Sequence, residues 1–223
     1  MRKKCVRAIR TKQDTFMASG TQAKQRMIQS AVDLFHRHGV NGTSVDQILS
    51  KSNTGKSQFT HYFKNKDGLV RAAVRSLDTV VRSGKTQSCY EIETWKDFDS
   101  WLQNYIDFQK SVAFERSCPF GTIGADLSNG QELIRQDIAV FLEWGRSKMC
   151  RFFAGRRAIG ELKSSARPDE LADLCLSVMQ GGMLLTKVTR NPSMFENAAR
   201  QVNAYVKSLR LAPKKVGHQA SGR

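Results

Sequence analysis

Several kinds of site and segment are missing from this sequence. The five cysteines, at positions 5, 89, 118, 150 and 175, are odd in number and contain no CxxC pair. This argues against a disulfide framework or a zinc site and favours a reducing, cytoplasmic environment. The basic residues 1–4 are not followed by the apolar stretch of a secretory signal. No run of about 18 apolar residues is evident, so we expect no membrane partner.

Signatures of catalysis are also missing. The sequence has no glycine-rich phosphate loop, no cluster with metal-ligand spacing and no Ser/His/Asp arrangement at a recognisable spacing. His36 and His38 are therefore interpreted as surface residues and not as metal ligands. We expect no catalytic residue, no metal site and no cofactor, and we keep a helical enzyme only as an alternative.

Acidic residues are scarce. The chain has 36 Lys and Arg but 20 Asp and Glu, a formal net charge of +16. Residues 1–66 hold thirteen of these cations and three of the acids. A basic end of this kind indicates a polyanionic partner such as nucleic acid, and the alternatives are an anionic membrane surface or solubility alone.

The stretch 43–69 has the pattern of two short helices around a turn. Ser44 and Gln47 have the spacing of a capping box, and an apolar stripe follows them. Residues 53–55 are Asn, Thr and Gly, a composition that favours a tight turn. In the second helix Phe59 and its aromatic neighbours form one side, while polar and cationic residues face elsewhere. The pattern predicts a helix-turn-helix whose second helix enters a major groove, and the alternative is an ordinary helical hairpin.

Residues 55–69, with 28–35, Gly39 and 42–45 upstream, resemble the DNA-binding part of TetR-family transcriptional regulators. The shared features are a small-residue turn, a recognition helix ending in an aromatic pair and a basic residue opening the next helix. Three positions depart from the family pattern: Asn53 and Thr54, which could loosen the turn, and Thr60, which stands where the family often has Tyr. The resemblance implies a repressor that a small molecule releases from DNA.

We therefore predict an all-α protein of about nine helices. A basic arm would occupy residues 1–20, with Arg2, Lys3, Lys4, Arg7, Arg10 and Lys12 following phosphates; a solvated tail, or a start at Met17, is the alternative. The helix-turn-helix domain would span 21–66, a ligand-binding and dimerisation domain 67–211, and a disordered basic tail 212–223. In the family resembled, the last two long helices pair to form a homodimer.

The expected partners are a double-stranded DNA operator and a small-molecule inducer. Two half-sites about 34 Å or a multiple apart would be read by the two recognition helices. We predict base contacts from Lys56, Ser57, Gln58 and His61, with Lys56 suited to guanine and Gln58 to adenine. Phosphate contacts are predicted from Thr43, Ser44, Thr60, Tyr62 and Lys66. A DNA-coating protein without an operator is the competing hypothesis.

Two features of the C-terminal part suggest how a small molecule is sensed. The aromatic stripe that includes Trp101 and Tyr105 is either core or the lining of an apolar cavity. Cys118 precedes a short helix, as in a branch of the TetR family that answers electrophiles and oxidants. A helix start stabilises thiolate, and Lys187 is a candidate cationic neighbour. The alternative for Cys118 is packing in the core.

Overall fold

The chain folds as helices packed on helices. The computed structural model describes residues 12–84 and 90–211, with side chains from residue 21 onward. In these ranges it has nine helices: α1 (Lys12–His38), α2 (Val45–Ser52), α3 (Lys56–Phe63), α4 (Lys66–Arg82), α5 (Trp95–Ser111), α6 (Pro119–Ala125), α7 (Glu132–Ala158), α8 (Pro168–Thr189) and α9 (Ser193–Leu209). The all-α prediction is confirmed.

Local signals set several of the helix ends. Ser44 and Gln47 form the predicted capping box before α2, and Thr94 caps α5 in the same way. Asn65 accepts the N–H of Gly68 at the start of α4. Gly39 ends α1 with a φ of 75°, a conformation that glycine adopts without steric cost. The predicted start of α2 at Ser44 is therefore confirmed.

The start of α1 differs from the sequence-based expectation. This helix begins at Lys12, inside the range 1–20 that was predicted as an arm. A polar segment without an apolar stripe can continue an existing helix because propagation adds one hydrogen bond per residue, whereas only nucleation is costly. Arg2, Lys3, Lys4, Arg7 and Arg10, together with the predicted tail 212–223, lie outside the described residues.

The helix α4 connects the two ends of the molecule. Leu69, Val70, Ala73 and Val74 are buried, and α4 packs against both α1 and α7. Arg71 and Arg75 on its other side share the carboxylate of Asp137 on α7, at 2.8 and 3.0 Å. Because one rigid helix contacts both parts, a displacement at its C-terminal end also changes its N-terminal end.

The helices α8 and α9 pack extensively against each other. Gly182 allows this contact, because a Cβ there would overlap the ring of Phe195, which is fully buried. α8 is long and apolar enough to span a bilayer by length and composition, contrary to the expectation from the sequence. A core helix passes the same test, and α8 packs against α5, α7 and α9.

Candidate DNA-binding surface and ligand cavity

The helices α2 and α3 are joined by a tight turn. Asn53 takes a left-handed conformation, with φ 50° and ψ 58°, and its N–H bonds to carbonyl groups of α2. Asparagine tolerates this region better than other residues with a side chain. The hydroxyls of Ser52 and Thr54 lie 2.6 Å apart. The departures from the family pattern at Asn53 and Thr54 are therefore accommodated in a closed turn.

One side of α3 is buried and the other is open to solvent. Phe59 and Phe63 are buried, with ring centroids 5.9 Å apart. The predicted contact residues of this helix are exposed, except for the half-buried Tyr62: Lys56, Ser57, Gln58, Thr60, His61. The exposed side thus carries hydrogen-bonding and cationic groups without a hydrophobic residue among them, which suits base edges and phosphates.

Several predicted contact residues already make bonds inside the protein, among them Thr43, Gln58 and Lys66. Thr43 is only 2% exposed and its hydroxyl donates to the carbonyl of Gly39 at 2.7 Å, so its predicted phosphate contact does not fit the structure. The side-chain oxygen of Gln58 accepts the N–H of Gly55 at 3.2 Å. Lys66 donates from Nζ to the carbonyl of Val40 at 2.6 Å. Lysine has three such donors, so two remain for a phosphate.

The exposed Ser44 keeps its predicted position at the surface. Its hydroxyl accepts the N–H of Gln47 at 3.2 Å, which leaves its own proton free for a phosphate oxygen. Lys56 lies 3.3 Å from Asp46, and both side chains are highly exposed. An exposed ion pair contributes little, so DNA can replace Asp46 as the partner of Lys56.

The end of α3 is held in a strained turn. Lys64 has φ 66° and ψ −52°, and the N–H of Asn65 bonds to the carbonyl of Phe63 at 2.8 Å. Gly68 is needed just beyond, because a Cβ there would overlap the carbonyl oxygen of Phe63. The first turn of α4 therefore lies directly on the end of α3 and fixes the direction of the recognition helix.

Sequence reasoning missed the role of Asp33. Its carboxylate bonds to Lys51 of α2, to Arg37 at 3.2 Å, and to Arg116 at 2.7 Å, which precedes α6. Partial burial opposes ionisation, but the hydrogen bonds from Lys51 and Arg37 and the nearby positive charges lower the pKa of Asp33 to about 2. Asp33 therefore remains charged and joins α1 to α2 and to the segment that precedes α6.

A cavity of about 350 Å³ lies between α4, α5, α6, α7 and α8. Among the described residues, no Asp, Glu, Lys or Arg lines it. Its polar groups are His36, Tyr90, Tyr105 and Cys118, and the rest of the lining is apolar: Leu77, Val80, Val81, Phe108, Pro119, Phe120, Phe141, Met179, Met183. An uncharged, largely apolar molecule fits such a lining, since an ion there would lack a counter-charge.

Cys118 is at the wall of this cavity and is 8% exposed. Burial raises the pKa of its thiol, and hydrogen bonds from the main chain of Gly121 and Phe120 and from Gln180 offset part of that effect. The Gln180 Nε2 lies 3.3 Å from the sulfur. Cys118 is therefore a protonated thiol at neutral pH, and the predicted stabilisation of thiolate by the helix start is outweighed.

The structure brings together some of the predicted sensing residues but not all of them. Tyr105 lines the cavity with Cys118, and its ring contacts that of Trp101 at 5.3 Å. Trp101 is 2% exposed and lies behind this wall. Lys187 is not in the lining. It stands seven residues beyond Gln180 on α8, which is about 10.5 Å along a helix.

His36 is buried, so its interpretation as a surface residue was wrong. It is 8% exposed, its Nε2 lies 2.5 Å from the carbonyl oxygen of Ser117, and its ring stacks on Phe108 at 6.3 Å. Burial, and then the charges of Arg116 and Lys187, lower its pKa. A neutral imidazole that donates to Ser117 is therefore part of the contact between α1 and the cavity wall.

Two family models match this chain. The one for bacterial regulatory proteins of the tetR family covers residues 27–73, and the one for the tetracyclin repressor-like C-terminal domain covers residues 98–202. Together they include the recognition helix and most of the helices around the cavity. The chain belongs to the TetR family. Regulators of this family bind DNA operators as homodimers, respond to small-molecule ligands and are generally repressors.

Relatives of this TetR-family protein are distant but extend over most of its length. Transcriptional regulator AcuR of Cereibacter sphaeroides is 23% identical over 180 residues, covering 80% of this chain and 82% of AcuR. The transcriptional repressor DhaR of a Mycobacterium species is 22% identical, covering 77% and 85%. The crystal structure of a regulatory protein TetR from Rhodobacter sphaeroides has a TM-score of 0.72 at 22% identity, covering 82% and 98%.

The fold and the family are those of DNA-binding regulators, which are not enzymes. Within the described residues, no group of three His, Cys, Asp or Glu side chains could hold a metal ion.

Proposed function

We propose that this protein is a homodimeric repressor that an uncharged, apolar small molecule releases from a palindromic operator. The observation that carries the proposal is the open side of α3, where five hydrogen-bonding or cationic side chains are exposed beside a buried aromatic side. Such a protein acts where the DNA is, in the cytoplasm on the nucleoid. A non-specific DNA-coating protein would not need this arrangement.

The dimer is proposed to form through α8 and α9. Large apolar residues remain exposed on these two helices: Leu174, Leu184, Leu185, Val188, Met194, Tyr205. Val188 is 71% exposed, and leaving such a surface in water is unfavourable by about 25 cal/mol per Å². A second copy of the chain would bury both faces in a four-helix interface and set two recognition helices side by side.

The DNA side of the proposal is tested by selection from random duplexes. We expect recovery of two inverted half-sites with centres about 34 Å, or a multiple, apart. Lys56→Ala should weaken binding to the selected duplex by about 5-fold to 150-fold if the lysine contacts guanine. Lys163→Ala, in the segment between α7 and α8, removes the same charge outside α3 and outside the proposed dimer helices, and serves as the control. Equal losses in both variants, or recovery of no common sequence, would contradict an operator-reading repressor.

The ligand side is tested through Cys118. N-ethylmaleimide adds its ring carbon to the thiol, and the thiol proton passes to the neighbouring carbon, so the cavity gains a bulky group. Because this thiol is buried and protonated, we expect it to react only on prolonged treatment. The modified wild type should then release the selected duplex, whereas Cys118→Ser treated in the same way should not. If both proteins release DNA, another cysteine is responsible. If neither does, Cys118 is a packing residue and the inducer binds without covalent chemistry.

A further inference from the structure

The short helix α6 crosses the end of α1 and is held to it on both sides. Before α6, the carbonyl of Ser117 bonds to His36. After α6, the Asp126 Oδ2 accepts the N–H of Val40 at 2.6 Å and that of Asn41 at 3.2 Å. With bonds at both ends, α6 cannot shift without moving the end of α1 or breaking these contacts.

The contact at Asp126 leaves little space for adjustment. Gly39 has a φ of 75°, and a Cβ on it would overlap the carboxylate oxygen of Asp126. The side chain of Asn41 also donates to the carbonyl of Asp126 at 3.3 Å. The main chain of Gly39 and Val40 therefore lies directly on the end of α6, and Val40 itself is 3% exposed.

Val40 is bonded on its other side to the DNA-binding surface. Its carbonyl accepts the Lys66 Nζ at 2.6 Å. Lys66 is the first residue of α4 and follows the strained turn at Lys64 that ends the recognition helix. Val40 is thus bonded to both neighbours. Its N–H bonds to Asp126, which follows the last residue of α6, and its carbonyl bonds to Lys66, which begins α4.

The other end of α6 forms the wall of the cavity. Phe120 lies in α6, lines the cavity and stacks on Phe141 of α7, with ring centroids 3.6 Å apart and an interplanar angle of 10°. A ligand that enters between these rings must move Phe120. Since α6 is only seven residues long, we expect it to move as one unit.

We propose that Asp126 is the positioning residue that couples the cavity to the recognition helix. A molecule that displaces α6 moves Val40 through Asp126, and the displacement reaches the start of α4 through Lys66. This inference rests on the proposed function, because it describes how the same cavity would act on the same DNA-binding surface. It adds a specific carboxylate at the contact between the two.

Coupling between two sites is reciprocal, so the inference can be tested without knowing the inducer. If α6 acts on DNA binding, then DNA must restrain α6. Amide hydrogen exchange resolved to residues 120–126 would be measured for the full chain, free and saturated with a selected duplex. We expect exchange in α6 to slow about fivefold on DNA binding. α6 contains no Lys or Arg, so it offers no cationic side chain for a direct phosphate contact.

Variants separate coupling from folding. In Asp126→Ala, DNA should no longer slow amide exchange in α6 appreciably. Asp126→Asn keeps an oxygen that can accept the N–H of Val40, so DNA should still slow the exchange in that variant. Asp173→Ala is the matched control, because Asp173 bonds to Arg146 at 2.5 Å between α7 and α8, within the ligand domain. It too should retain the slowing. Melting temperatures of all variants are compared first.

Two results would overturn the inference. One is equal exchange in α6 of the wild type with and without DNA. The other is full slowing in a folded Asp126→Ala variant. Both require that the duplex binds, so they leave the proposed function intact. Failure to recover any bound duplex would instead contradict the proposed function.

Discussion

Replacing Gly182 with alanine should destabilise this protein, whereas the same change at the neighbouring Gly181 should stabilise it. Both residues lie inside α8, where alanine is favoured over glycine by about 1 kcal/mol. A Cβ on Gly181 would meet nothing within 4 Å, but one on Gly182 would overlap three atoms of the Phe195 ring. Phe195 is fully buried, so its ring is not free to swing out into solvent.

The two effects at Gly182 have opposite signs. Overpacking of a core typically costs about 1–3 kcal/mol, and overlap with three atoms of a buried ring favours the upper part of that range. After the helix preference is subtracted, we expect a net loss of about 1–2 kcal/mol for Gly182→Ala. The two variants should therefore differ by about 2–3 kcal/mol in the free energy of unfolding.

Thermal unfolding followed by circular dichroism measures this difference. For a chain of this size, each kcal/mol shifts the melting temperature by about 2–4 °C, so the variants should melt about 4–12 °C apart. A Gly182→Ala protein as stable as Gly181→Ala would refute the close contact of α8 with α9. The oligomeric state of both variants is measured as well, by gel filtration. A Gly181→Ala protein that is stable but monomeric would indicate that a helix of the second subunit packs against Gly181 in the proposed dimer.

Two further predictions concern single side chains. Burial and nearby cations lower the pKa of His36, so its contribution to stability is complete above the unfolded pKa of about 6.5 and falls below it by at most about 1.4 kcal/mol per pH unit. The free energy of unfolding in urea would be measured between about pH 7.5 and 5.5. It should depend less steeply on pH for His36→Gln than for His38→Gln, which is the control at an exposed site. Lys64→Gly should raise the free energy of unfolding by about 1 kcal/mol, because glycine adopts the strained φ of 66° at this position without steric cost. Ser83→Gly is the control, since Ser83 has an ordinary φ of −68° and its replacement should not stabilise the protein. Equal effects of the two changes would show that relief of strain does not cause the stabilisation.

The contacts of Cys118 limit the chemistry that the cavity can support. Its raised pKa keeps the sulfur protonated, and a thiol reacts more slowly than a thiolate. Lys187, the predicted cationic neighbour, is not in the cavity lining. A rapid, thiolate-driven response is therefore disfavoured, and occupation of the apolar cavity by an uncharged molecule is the simpler way to displace α6.

Much of the local structure of the candidate DNA-binding surface was predictable because its signals are local. The capping box of Ser44 and Gln47 and the alternation of aromatic and polar residues in α3 operate within one or two turns of helix. The errors at this surface come from bonds to residues outside those turns. Thr43 was assigned to phosphate but donates to Gly39, and no spacing rule distinguishes a hydroxyl that faces DNA from one that caps its own loop.

Local sequence signals were sufficient to predict the helical class, the capped start of α2 and the polar face of α3. These follow from periodicity, capping and composition, which depend on residues a few positions apart. Three features became visible only in the folded chain: His36 is buried, Cys118 and Tyr105 share a cavity that Lys187 does not line, and Asp126 bonds to Val40, 86 residues away. Such pairs depend on how helices pack, because a contact between distant residues leaves no periodic signal in either segment.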